Sequence, residues 1–156
     1  MQGTYLESIQ LIERLHRQFL EVVKAELDKL HVEDINNIQA LILFNIGNDQ
    51  LTVGELTYRG YYLGSNVSYN VKKMAENGYL LQEPSPHDKR SIRIKLSDKG
   101  LALCEKIGQM FTTHAGDLEK TDISQDKLKD ANGMFRMLEK FWTETLNRAG
   151  VSPFDL

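Results

Sequence analysis

At 156 residues, with 41% hydrophobic and 26% charged side chains, the chain has the composition of a globular domain, which argues against disorder. No stretch approaches about 18 uninterrupted apolar residues and no basic stretch followed by an apolar run opens the chain, so the expectation is a cytoplasmic protein with no membrane partner. The net charge of −3 hides an uneven distribution: Arg59 to Lys95 holds seven Lys or Arg against three acidic residues, and the remainder holds 12 basic against 19 acidic. A basic middle between acidic flanks predicts one face that meets a polyanion.

From Tyr5 to Leu30 the apolar residues Tyr5, Ile9, Ile12, Phe19, Val23 and Leu30 recur at three-, four- and seven-residue steps, which predicts a long amphipathic helix. Asn36 with Gln39 forms a capping-box pattern before Ile38, Leu41, Ile42 and Ile46, and Gly47 stops that second helix. Thr52 with Glu55 is a capping box of the Thr-x-x-Glu form and opens a short third helix through about Arg59. Ser65 is placed to cap a fourth helix that runs to Asn77 and ends at Gly78. On that helix Val67, Val71, Met74 and Ala75 share one face, while Ser65, Asn66, Tyr69, Lys72 and Lys73 project from the other.

Tyr79 to Glu83 reads as a strand, Pro84 to Lys89 as a turn-rich tip and Ser91 to Leu96 as a returning strand. In the return strand Ile92, Ile94 and Leu96 alternate with Ser91, Arg93 and Lys95, the period of a ribbon with one face on a core. Ser97 then caps a fifth helix to roughly Glu119, and Ser124 starts a sixth through about Arg148 whose stripe is Leu128, Ala131, Met134, Phe135, Leu138, Phe141, Trp142 and Leu146.

These elements predict a mainly α fold with a small β-hairpin wing: a winged helix-turn-helix lobe over 36–97, carried on long terminal helices over 1–35 and 98–156 that form a dimerisation scaffold. The terminal helices carry more apolar face than so small a lobe can cover. Burying it against a second copy of the chain is the simplest solution.

The sequence resembles the MarR family, the multiple-antibiotic-resistance regulators, through Leu51-Thr52-Val53-Gly54-Glu55-Leu56, Ser65-Asn66-Val67-Ser68-Tyr69-Asn70-Val71-Lys72-Lys73, Pro86-His87-Asp88-Lys89-Arg90-Ser91 and Leu96-Ser97-Asp98-Lys99-Gly100. The order and spacing of these pieces carry the likeness. Tyr69 stands where many members have Arg, Thr57 where Ala is usual and Ser85 where an Asp often opens the wing motif, so operator preference does not transfer. The resemblance implies a homodimer with two lobes on successive turns of a pseudo-palindromic operator. It implies a repressor released by a small, often aromatic or anionic, ligand bound between scaffold and lobe. It also implies that Asp88 orients Arg90 by a salt bridge.

The residues themselves point to DNA contact at Ser65, Asn66, Ser68, Tyr69, Asn70, Lys72 and Lys73 on the fourth helix, where hydroxyls, amides and ammonium groups suit phosphates and base edges. On the wing, Arg90 is placed for a narrow minor groove, with Asp88 beside it and Lys89, Arg93 and Lys95 adding phosphate attraction. His16, Phe19, Phe44 and Tyr62 are candidates to line an effector pocket between the first, second and fifth helices, each with packing as its alternative role. Tyr58 and Tyr61 join Tyr62 either in such a pocket or, as the better reading, in packing lobe to scaffold.

His16, His31, His87 and His114 lack the close spacing of a metal site, and Cys104 reads as a packing residue rather than a redox switch. No glycine-rich phosphate loop, nucleophile motif or catalytic carboxylate grouping is recognisable, so neither an enzyme nor a cofactor is expected. Two alternatives to a ligand-responsive DNA-binding regulator stay open at this point: a winged-helix interaction module without DNA binding, and a metal-responsive regulator.

Overall fold

The computed structural model describes residues 1–60, 64–88 and 90–151, with the side chains of 64 and 65 outside that description. Tyr61, Tyr62 and Lys89 lie outside the described residues. The elements run α1 (Gln2–Lys29), α2 (Asn37–Ile46), β1 (Leu51–Thr52), α3 (Val53–Gly60), α4 (Gly64–Glu76), β2 (Leu80–Pro84), β3 (Ile92–Leu96), α5 (Asp98–Leu118) and α6 (Gln125–Arg148). This is a winged helix fold.

Local chemistry sets most of the boundaries. The Asn36 side chain accepts from the Gln39 N–H at 2.8 Å while Gln39 Oε1 accepts from the Asn36 N–H at 3.1 Å, so two otherwise orphaned donors of α2 are satisfied reciprocally. Thr52 and Glu55 do the same for α3, both bonds at 3.1 Å. Ser97 and Ser124 accept from Gly100 and Lys127 at the starts of α5 and α6. Gly47 (φ 56°) closes α2 and Gly78 (φ 83°) follows α4, both in the left-handed region where a Cβ is strained.

The Ser65 expectation needs correction: α4 opens at Gly64, which places Ser65 within the first turn rather than at the cap. The sheet also has a third strand that periodicity did not reveal. Its order is β1-β3-β2, all antiparallel, with Leu51 opposite Ile94, Thr52 opposite Arg93 and Leu80 opposite Leu96. Two residues are too few to show an alternating pattern, and Thr52 also caps α3. Along β3 the alternation holds for Ile94 and Leu96, which are buried, but Ile92 is 49% exposed because the hairpin has left the core by that point.

The core joins α2, α3, α4 and the sheet through Ile42, Leu43, Ile46, Leu51, Leu56, Val67, Val71, Met74 and Ile94, and continues into Val23 and Leu27 of α1 and Leu103, Ile107 and Met110 of α5. Only these parts of the long helices are covered. The amino-terminal half of α1 leaves Leu6, Leu11 and Leu15 exposed, and none of the 24 residues of α6 is buried. The indole N–H of Trp142 donates to the Tyr5 hydroxyl at 2.9 Å, which ties α6 to the start of α1.

Candidate nucleic-acid interface

The sequence of α4 divides it into two faces. Val67, Val71 and Met74 lock into the core, so Asn66, Ser68, Tyr69 and Lys72 are exposed on the outside, with Tyr69 retaining 61% of its surface. Lys73 is half-buried and meets Glu76 at 3.4 Å, an i,i+3 pair that leaves its ammonium partly wet. Asn70 has a different position from its neighbours. Its oxygen accepts from Gln39 Nε2 at 3.2 Å and its amide nitrogen donates to the Asn66 carbonyl at 2.8 Å. Gln39 is 7% exposed, so this amide pair links α4 to α2 from the inner side of the helix.

The hairpin of β2 and β3 carries the second group. Ser85, buried, donates its N–H to the Ser91 carbonyl at 2.8 Å, and the Ser91 N–H donates to the Asp88 carbonyl at 3.0 Å, which closes the tip. Asp88 does not pair with the Arg90 guanidinium among the described ion pairs. Its Oδ1 accepts from the Arg90 backbone N–H at 2.9 Å and its Oδ2 from the Ser91 hydroxyl at 3.3 Å. An aspartate reaching its own backbone two residues on makes an Asx-turn, and this local geometry replaces the expected salt bridge. The Arg90 side chain is exposed at the tip.

Arg93, half-buried on β3, faces Thr52 and Glu83 in the strand register, while Lys95 meets Glu83 at 3.6 Å. Lys95 is therefore the more neutralised of the two. Arg59, also in the basic middle, is held by Asp49 at 2.7 Å and the Asn45 carbonyl. Among the described cations of this basic middle, Lys72 on α4 and Arg90 at the wing tip are exposed with no ion-pair partner, one on each of the two elements.

Of the candidate effector-lining residues, Phe19 and Phe44 are brought together by a ring that sequence reasoning missed, Phe111 of α5. Ring centroids are 6.0 Å apart for Phe19 and Phe111 and 5.0 Å for Phe44 and Phe111. A Cβ on Gly108 would lie in ordinary van der Waals contact, 3.7 Å from the Phe44 ring, so α5 passes beside that ring. The spacing of Leu103, Ile107 and Phe111 carried the signal, since it continues a helical stripe. His16 is exposed one turn along α1, and Tyr62 lies outside the described residues. A cleft of about 540 Å³ opens elsewhere, between the Gly47–Asp49 turn, Gly78, Leu81 and the start of α5. Cys104 packs partly buried on the core, and burial pushes its thiol up, toward the unreactive protonated form. Among the described residues no helix is long and apolar enough to cross a membrane.

Residues 35–100 match a family described as a winged helix DNA-binding domain. The exopolysaccharide II synthesis transcriptional activator ExpG of Rhizobium meliloti is 42% identical over 139 residues, covering 89% of this chain and 72% of that protein. Streptococcus pneumoniae FabT in complex with DNA superposes with a TM-score of 0.74 at 14% identity, covering 90% of this chain and 99% of that one. Staphylococcus aureus MarR in complex with salicylate and kanamycin superposes with a TM-score of 0.73 at 23% identity, covering 90% and 93%.

The chain belongs to the MarR family. It is a DNA-binding transcriptional regulator. These likenesses favour neither the interaction-module alternative nor the metal-responsive one.

Proposed function

We propose that the chain acts as a cytoplasmic homodimer whose two α4 helices enter successive major grooves of a pseudo-palindromic operator, each wing placing Arg90 in the neighbouring minor groove. The observation that carries this reading is the shared exposure of Asn66, Ser68, Tyr69 and Lys72 beside an exposed Arg90, on elements whose opposite faces are locked in the core. Residues 36–97 form the DNA-reading lobe, and 1–35 with 98–156 the scaffold. Asn70 acts by holding α4 against Gln39 more than by reading bases, and Ser65 and Lys89 add phosphate contacts. No catalytic role is assigned.

A small aromatic or anionic ligand at the Phe19, Phe44 and Phe111 junction, with His16 as a further lining candidate, favours a lobe spacing that no longer matches half-sites about 34 Å apart. Release of a repressor is the first reading. Activation is the second, favoured by the name of the 42% identical relative.

The test is a gel-shift against the DNA preceding the chain's own gene, followed by calorimetric titration of salicylate with and without that DNA. Linkage requires operator to weaken the ligand by the factor by which the ligand weakens operator. A shifted band and unequal ligand affinities are expected. No shift would refute operator binding, and equal affinities would refute the ligand mechanism.

A further inference from the structure

If 36–97 is the lobe, the chain crosses between scaffold and lobe twice, just after Asp34 and just before Lys99. These two residues, 65 apart in sequence, meet: Lys99 Nζ lies 2.7 Å from Asp34 Oδ2. The same ammonium donates to the Asn77 carbonyl at 2.8 Å and sits 4.2 Å from the centroid of the Tyr79 ring. The Tyr79 hydroxyl donates to Asp34 Oδ1, and the Asn77 side-chain amide donates to the Asp34 carbonyl at 2.7 Å. Asn77 and Tyr79 are the residues that follow α4. One carboxylate therefore gathers both crossings and the end of the helix proposed to read DNA.

We propose that Asp34, Lys99 and Tyr79 form a clasp that fixes the angle of the DNA-reading lobe on the scaffold, which makes Asp34 a positioning residue for operator binding. This rests on the operator reading above. Tyr79 is 3% exposed and anchors the lobe side rigidly, while α5 presses on the same residue: a Cβ on Gly100 would come within 2.3 Å of the Tyr79 carbonyl oxygen. The side chains of Lys99 and Asp34 keep 48% and 45% of their surface, so the ion pair alone adds little stability. Its geometry is what matters, because any rotation of the lobe shears several bonds held by one group. Burial pushes the Asp34 carboxyl up, but hydrogen bonds from Lys99 and Tyr79 and the Lys99 charge outweigh it and leave the group ionised below its ordinary range.

A clasp of this kind sharpens the match to a fixed half-site spacing rather than tightening the grip of one lobe. The charge effect runs the other way, since removing an acidic residue from a DNA-binding protein strengthens phosphate attraction. The full-length protein is used to select its tightest duplex from a randomised pool. Asp34→Ala and Tyr79→Phe are then measured at one salt concentration against that duplex, against the same duplex with one base pair inserted between half-sites, and against random duplex.

Each variant is expected to lose roughly 2- to 30-fold on the selected duplex, the range over which such coupling residues act. Each is expected to discriminate less against the altered spacing and to keep or gain affinity for random duplex. Unchanged affinity and spacing preference in either folded variant would overturn the clasp, as would equal losses on all three duplexes. Tyr79→Phe retains the ring and the charge balance, so it decides the matter if Asp34→Ala does not fold. A wild-type chain that selects no duplex would overturn the operator reading instead, and the clasp with it.

Discussion

Ending the chain after Glu119 is expected to yield a monomer or an aggregate in place of a dimer. The cut removes α6, which has no buried residue within one copy yet carries Leu128, Met134, Phe135, Met137 and Phe141 exposed along it. A helix of 24 residues, tied to α1 of its own chain by Trp142 and Tyr5, needs further surface to cover those side chains. Leu6, Leu11 and Leu15 of α1 offer such a surface, and a two-fold axis lets each copy cover the other. Burial of each large side chain is worth roughly 1.5 to 3 kcal/mol, so losing five of them removes far more than a dimer can spare. The core of α2 to β3 does not depend on α6, and a cooperative unfolding transition is expected to persist in any soluble fraction. Sedimentation equilibrium with circular dichroism measures both, and a soluble truncated dimer would place the interface elsewhere.

Arg90→Ala is expected to weaken operator binding by about 1 to 3 kcal/mol for each wing, roughly 5- to 150-fold per wing, while leaving assembly and unfolding temperature unchanged. The side chain is exposed at the wing tip, and the tip itself is closed by Ser85, Asp88 and Ser91 through bonds in which the guanidinium takes no part. Truncating it therefore alters the contact and not the turn. Fluorescence anisotropy at one fixed salt concentration, with sedimentation as control, measures the effect. Wild-type affinity in the variant would remove the wing from the interface.

Much of this architecture was legible because it is local. Capping pairs such as Asn36 with Gln39 and Thr52 with Glu55 act over three residues, and the structure contains each of those bonds. The faces of α4 followed from a period of 3.6 in the same way. What escaped reading depends on tertiary neighbours. The two-residue β1 exists only because β3 pairs with it. Phe111 joins Phe19 and Phe44 only once three helices have packed.

The division of polar roles on α4 was half legible: the period of 3.6 puts Asn66 on the outward face and leaves Asn70 off it, but nothing local names Gln39, 31 residues away, as the partner of Asn70. The link from Asp34 to Lys99 spans 65 positions with no pattern between them. At the wing, resemblance suggested a side-chain pair where local geometry favours an Asx-turn, because a carboxylate reaches the backbone N–H two residues on more readily than a long, mobile guanidinium.

The most direct test of DNA reading by α4 and the wing is the salt dependence of affinity for a duplex carrying the selected operator. Each neutralised phosphate contributes a slope of about −0.9 in log affinity against log salt, so two lobes that each present several cations are expected to give a slope on the order of −4 to −8. Lys72→Ala is expected to make it shallower by about 2, one phosphate contact for each lobe. A flat salt dependence, or a slope that Lys72→Ala leaves unchanged, would contradict the assignment of this face to DNA.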